Sequence, residues 1–229
     1  MRRGILMDFD DTLVETTVYF SQAKSRFATL MAGMGFPAEK ALSTLNEYDI
    51  KNVQLSGGFF KDCFPRALGE TYAYCCRVYG ANYCGKTRQE IEDLGWWVYR
   101  QPVRPIQGAE EVLAQLAGRS PLLLATKGEP AVQNLRVEQS GLARWFDKVY
   151  VLNEKSAAAY TAIAIEQKIA PPLSWVVGNS MKSDINPALL AGFNCIYIHH
   201  PHTWDFEDEE PLGGHISVDS LTSILEFIT

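Results

Sequence analysis

After Pro102, four short apolar runs alternate with helix-patterned stretches, and this alternation limits the fold more than any other feature of the chain. The runs are Leu122-Leu123-Leu124-Ala125, Lys148-Val149-Tyr150-Val151-Leu152, Ser174-Trp175-Val176-Val177 and Cys195-Ile196-Tyr197-Ile198. Helical patterns fill 130–140, 156–169 and 184–191, and a short amphipathic one runs from Gly108 to Gly118. Strands joined through helices lie parallel, because a parallel pair needs a long crossover between its members. A bare apolar run such as Leu122–Ala125 expects cover on both faces. A fifth run, Gly4-Ile5-Leu6-Met7, opens the chain. The reading is an α/β fold, a Rossmann-like parallel sheet with helices on both faces.

Residues 15–101 have a different texture and read as all-helical. Phe20, Ala23, Phe27, Leu30, Met31 and Met34 recur at helical spacing until Gly33, Gly35 and Pro37 stop the element. A second helix is expected over 38–50, then a loop, Leu55-Ser56-Gly57-Gly58-Phe59-Phe60-Lys61. Pro65 suits the first turn of a third helix, with Phe64, Leu68, Tyr72, Cys75 and Tyr79 on one face and Gly80 at its end. Thr87 and Glu90 have capping-box spacing for a fourth. The domains expected are therefore a core of 1–14 with 102–229, and a helical insert of 15–101.

Composition excludes several classes. The 229 residues carry a net charge of −6 and no basic block, which argues against nucleic acid as a partner. No apolar run approaches a membrane span, and Asp8 interrupts the apolar start too early for a signal peptide. The five cysteines, Cys63, Cys75, Cys76, Cys84 and Cys195, are odd in number and form no C-x-x-C pair. They read as free thiols in a reducing cytoplasm.

In open parallel sheets the chemistry collects beyond the carboxyl ends of the strands. After the first run stand Asp8 and Asp10, whose i, i+2 spacing lets both face one side. Two converging carboxylates repel unless a cation sits between them, and Mg²⁺ takes such oxygen ligands. After the later runs come Thr126-Lys127-Gly128, Asn153-Glu154-Lys155, and Gly178-Asn179-Ser180 with Asp184 at the next helix start. A hydroxyl, ammonium groups and a further carboxylate at adjacent strand ends suit a phosphoryl group held beside a metal.

These residues, Asp8-Phe9-Asp10-Asp11-Thr12-Leu13, Thr126, Lys155 and Gly178-Asn179-Ser180…Asp184, resemble the four motifs of the haloacid dehalogenase superfamily. The resemblance covers 1–14 and about 102–200, and the helical insert is similar to that family's type 1 cap. It implies an Mg²⁺-dependent phosphatase acting on a small phosphorylated metabolite. Asp8 would be the nucleophile and Asp10 the general acid and base. Thr126, Lys127 and Lys155 would bind phosphate. Asp8, the Asp10 carbonyl and Asp184 would hold the metal, with Asn179 beside it where the family often has Asp. A phosphomutase or haloacid dehalogenase of the same fold, or a non-enzymatic phospho-aspartate switch, stays open as an alternative.

Three further stretches carry readings of their own. In the insert, Phe59, Lys61 and Arg66 are candidates for choosing the substrate, as an apolar wall and two cations. His199, His200 and His202 lack the spacing of a metal site and read as a loop. The acidic run Glu207-Asp208-Glu209-Glu210 reads as a solvated face.

Overall fold

A computed structural model describes residues 2–201 and 203–228. In chain order the elements begin with β1 (Ile5–Met7) and β2 (Val14–Glu15). Four helices follow: α1 (Thr17–Gly33), α2 (Ala38–Ser56), α3 (Cys63–Tyr79) and α4 (Gly85–Val98). Then come β3 (Arg104–Pro105), α5 (Ala109–Leu116), β4 (Leu122–Lys127), α6 (Pro130–Gln139), β5 (Lys148–Leu152) and α7 (Ala157–Gln167). The chain closes with β6 (Trp175–Gly178), α8 (Asn186–Leu190), β7 (Asn194–Ile198) and β8 (Ile216–Val218). It divides into two compact units, Met1–Thr17 with Val103–Thr229, and Val18–Pro102.

In the first unit six strands form one sheet in the order β5-β4-β1-β6-β7-β8, each pair parallel. The alternation of β1 shows why its residues are all apolar. Ile5 and Met7 pack into a core with Val112, Leu113 and Leu116 of α5, while Leu6 packs on the other side with Tyr160 and Ile163 of α7. A strand sheathed on both faces has no solvent side on which to place a polar residue. Register then sets the site. Met7 lies opposite Leu124 on one side and Val177 on the other. The residues after all three strands therefore emerge at one edge of the sheet.

In the second unit α1–α4 enclose a core that includes Ala23, Phe27, Met31, Leu45, Phe64, Leu68, Tyr72 and Ile91. Helix α1 buries its i, i+4, i+8 line, Ala23, Phe27 and Met31, with Tyr19 and Phe20 packed partly buried against the same core; Leu30 and Met34 are exposed. Gly80 closes α3 in the left-handed region at φ 67°. That conformation costs glycine little because it has no Cβ.

Several expectations are corrected. Helix α2 runs to Ser56, six residues past the expected end, because Gly57 is the left-handed residue that stops it. Helix α4 starts at Gly85 with Cys84 as its cap and no side-chain cap bond, so Thr87 and Glu90 are no capping box. The stretch read as a helix over 184–191 is a π turn, Met181–Ile185, followed by α8. Strands β2, β3 and β8 have two or three residues each, too few to show a period. Among the described residues no helix is long and apolar enough to cross a membrane. All five cysteines are free thiols, with Cys84 alone exposed.

Asp49 on α2 is buried, and burial pushes its carboxyl from an ordinary 3.8 up to about 6, with Lys24 opposing. The folded state thus holds this proton more tightly than the unfolded chain does. The stabilisation is complete below about pH 3.8 and is lost as pH rises through about 6. We expect Asp49→Asn to unfold at higher urea than the parent near neutral pH, by at most about 3 kcal/mol, and to lose that advantage near pH 4. A difference between the two proteins that does not change with pH would refute this.

Candidate active site

Asp8 leaves β1 with its N–H donated to the carbonyl of Val177, 2.9 Å away, which seats it between β4 and β6. Its carboxylate is buried. Oδ2 accepts from the Thr12 hydroxyl at 2.9 Å, and Oδ1 is ion-paired with the Lys155 ammonium. The same ammonium donates to Asp184 Oδ1 at 2.6 Å. Asp184 Oδ2 in turn accepts the Ser180 N–H at 3.0 Å. Three of the residues expected from the sequence are thus joined in one buried cluster with one positive and two negative groups.

The electrostatics follow from burial. Desolvation pushes the Asp8 carboxyl up to about 7, Asp184 adds to the rise, and Lys155 opposes it. Burial disfavours the Lys155 charge too, but Asp184 and Asp8 outweigh it and hold the ammonium well above the usual lysine range.

Asn179 stands beside the cluster. In the orientation that suits its neighbours, its NH₂ donates to Thr12 Oγ1 at 3.1 Å, Asp8 Oδ2 at 3.2 Å and the Asp10 carbonyl at 3.1 Å. Those contacts bring the Asp8 carboxylate and the Asp10 carbonyl around one point. The oxygens of Asp8, Asp10 and Asp184 are hard donors of the kind Mg²⁺ takes, so the residues present fit that ion. Among the described residues no three His, Cys, Asp or Glu side chains converge as a metal site. The fit rests instead on two carboxylates and a main-chain carbonyl.

The Asp10 side chain is held apart from Asp8. Oδ1 accepts from the Thr16 hydroxyl at 2.7 Å and pairs with Arg136 at 2.8 Å; Oδ2 accepts from Gln133 Nε2 at 2.6 Å. Gln133 and Arg136 share one face of α6, three residues apart. Thr126, at the end of β4, is fully buried, and its hydroxyl accepts from the same Gln133 amide at 2.6 Å. Asp11 turns the chain with φ 59°, and its Oδ1 accepts the N–H groups of Thr16 and Thr17 at 2.8 and 2.9 Å, starting α1.

Lys127 departs from the expectation of a phosphate ligand. Its ammonium pairs with Glu207 Oε1 at 2.8 Å and donates to Ser183 Oγ at 2.5 Å. Glu207, read as part of a solvated run, is largely buried and also accepts from Ser180 and Ser183. Burial alone would raise its carboxyl; Lys127 and the two serine hydroxyls hold it below the usual carboxylate range.

His199 and His200 line an open groove of about 400 Å³ with Asp11, Thr12 and Asp219, and His202 lies outside the described residues. In the second unit Phe59 is half-buried, Lys61 is exposed, and Arg66 is paired with Asp62 at 3.4 Å and donates to Ser56. Sequence reasoning missed Thr16, Gln133, Arg136 and Glu207. The Gln-x-x-Arg spacing on α6 was visible in the chain; Glu207 had no signal apart from its acidic neighbours.

Compared with solved structures, the chain aligns over 99% of its length with 91% of a haloacid dehalogenase-like family hydrolase from Xanthomonas campestris, at TM-score 0.79 and 23% identity. The fold is that of the haloacid dehalogenase superfamily. A hydrolase of this fold from Bacillus subtilis, YfnB, was solved bound to magnesium; 99% of this chain matches 98% of it at TM-score 0.64 and 16% identity. The L-2-haloacid dehalogenase of Xanthobacter autotrophicus also shares the fold, with all of this chain matching 98% of that one at TM-score 0.61 and 15% identity. No family model matches the sequence. Two curated relatives are pyrimidine 5'-nucleotidases. YjjG of Escherichia coli is 28% identical over 53% of this chain and 56% of that protein. PynA of Streptococcus pneumoniae is 27% identical over 55% of this chain and 56% of that protein. The chain thus matches about half the length of the curated relatives.

Gly178 makes the Asp184 position available. A Cβ there would lie 2.3 Å from Asp184 Oδ2 and 2.6 Å from its Cβ. We expect Gly178→Ala to destabilise the protein by about 1–3 kcal/mol through overpacking, read as a lower urea midpoint. An unchanged midpoint would refute the close approach.

Proposed function

We propose that this protein hydrolyses a small phosphomonoester, with Asp8 as the nucleophile. The observation that carries the reading is the buried Asp8 carboxylate at the end of the central strand, oriented by Thr12 and Lys155 and flanked by Asp184. A carboxylate oxygen of Asp8 attacks phosphorus, the ester oxygen leaves, and an aspartyl-phosphate forms. Asp10 gives the leaving oxygen its proton, then takes one from the water that cleaves the intermediate. Thr126 and Lys155 offset charge on the phosphoryl oxygens. Bound Mg²⁺, held by Asp8, the Asp10 carbonyl and Asp184 with Asn179 alongside, would offset the repulsion between nucleophile and phosphate.

Displacement of a halide from carbon is the rival, since dehalogenases share the fold. A halide leaves as a stable anion and needs no proton. A departing alkoxide does, and Asp10 stands two residues from the nucleophile to supply it. The relatives' names make pyrimidine nucleoside monophosphates the first substrates to try. Phe59, Lys61 and Arg66 remain the candidates for selecting among them.

The purified protein should release phosphate from an aryl phosphate in the presence of Mg²⁺, and should release no chloride from a 2-chloro acid. Chelator or Asp8→Asn should reduce turnover to background. Asp10→Asn should lower kcat by about 10²–10⁴-fold. Activity that survives in Asp8→Asn, or halide release in place of phosphate release, would overturn the proposal.

A further inference from the structure

We propose that Gln133 is a positioning residue that fixes the Thr126 hydroxyl as a hydrogen-bond donor toward a bound phosphate and ties it to Asp10. The inference rests on the phosphohydrolase reading above and names a residue that the reading leaves without a role.

The argument is one of donors and acceptors. Gln133 Nε2 lies 2.6 Å from Asp10 Oδ2, 2.6 Å from Thr126 Oγ1 and 3.1 Å from the Lys127 carbonyl. A carbonyl only accepts, so the group facing the Lys127 carbonyl is the amide NH₂. An NH₂ has two hydrogens, and the two shortest contacts are to Asp10 and Thr126. It has no lone pair to offer a hydroxyl. Thr126 therefore accepts from Gln133, and its single O–H proton is directed elsewhere. Among the described residues that proton has no acceptor, although Thr126 is 0% exposed and Gln133 only 4%. A buried donor without a partner marks a place where a ligand acceptor belongs. Meanwhile Arg136 and Thr16 occupy Asp10 Oδ1, which leaves Oδ2 to the same amide. One side chain thus sets the polarity of the phosphate-side hydroxyl and the orientation of the acid.

The test reads binding rather than turnover. Titration calorimetry of inorganic phosphate with excess Mg²⁺ compares the parent with Gln133→Met, which keeps the length and loses the donors. We expect binding to weaken by about tenfold, the net worth of one hydrogen bond. Gln133→Glu can only accept, so it should recruit the Thr126 proton and weaken binding further. The decisive arm is Thr126→Val: in that background Gln133→Met should cost nothing more, because the group it orients is gone. Should Gln133→Met fail to fold, Gln133→Asn, which withdraws the amide by one carbon, serves the same comparison. Unchanged phosphate affinity in the Gln133 variants, or an equal loss in the Thr126→Val background, overturns the inference alone. A parent protein that binds no phosphate with Mg²⁺ overturns the hydrolase reading and this inference with it.

Discussion

The buried arrangement of two carboxylates around one ammonium is the constraint on which the first unit depends. Asp8 and Asp184 both rest on Lys155, and all three are nearly free of solvent. At an effective dielectric near 20, a unit charge about 4 Å away is worth roughly 4 kcal/mol. One ammonium faces two carboxylates here; burial raises the Asp8 carboxyl first, the second carboxylate of Asp184 adds to the rise, and Lys155 opposes both. Local geometry serves this cluster. Gly178 leaves room for Asp184, Ser180 caps its second oxygen, and Thr12 occupies the second oxygen of Asp8. A buried carboxyl raised by desolvation beside a specific charge partner is a candidate ligand or cation site.

A second buried pair supports the loop that carries Asp184. Glu207 lies far along the chain, yet it receives Lys127 from the end of β4, Ser183 from the π turn and Ser180, which caps that turn. Lys182 extends over the Phe206 ring at 3.7 Å and donates to the Phe206 carbonyl. Asn186 accepts the Leu212 N–H at 2.9 Å and donates to the Glu210 carbonyl at 3.0 Å. The acidic segment is thus a strap, and its carboxylate is the counter-charge of a partly buried lysine. Lys127 is committed to that task, so Lys155 is the lysine left at the Asp8 carboxylate.

What could be read from the chain was what depends on period and adjacency. Leu122–Ala125 announced a strand covered on both faces, and the parallel sheet followed from the alternation with helices. Asp8, Thr126, Lys155 and Asp184 were legible as candidates because each lies at the end of its strand or within a few residues of it. Glu207 could not, since its partners are fixed by packing across long sequence separations and an acidic run looks the same on a surface. Gln133 and Arg136 were hidden differently. On an amphipathic helix their spacing reads as a polar face, and only the position of β4 turns that face toward Asp10. Strands β2, β3 and β8 are too short for any pattern to emerge.

Asn179 brings an amide, not a carboxylate, to this cluster. A carboxylate there would bring charge to a site that already has a surplus of it. The amide brings hydrogens instead, and its NH₂ faces Thr12 Oγ1, Asp8 Oδ2 and the Asp10 carbonyl. Each of those atoms has a lone pair directed at position 179, so a carboxylate would meet acceptors with acceptors. The hydrogen bond from Asn179 to Thr12 also leaves the Thr12 proton for Asp8, extending the line from amide to hydroxyl to the Asp8 carboxylate. The amide thereby orients Asp8 without adding a further negative charge to the cluster.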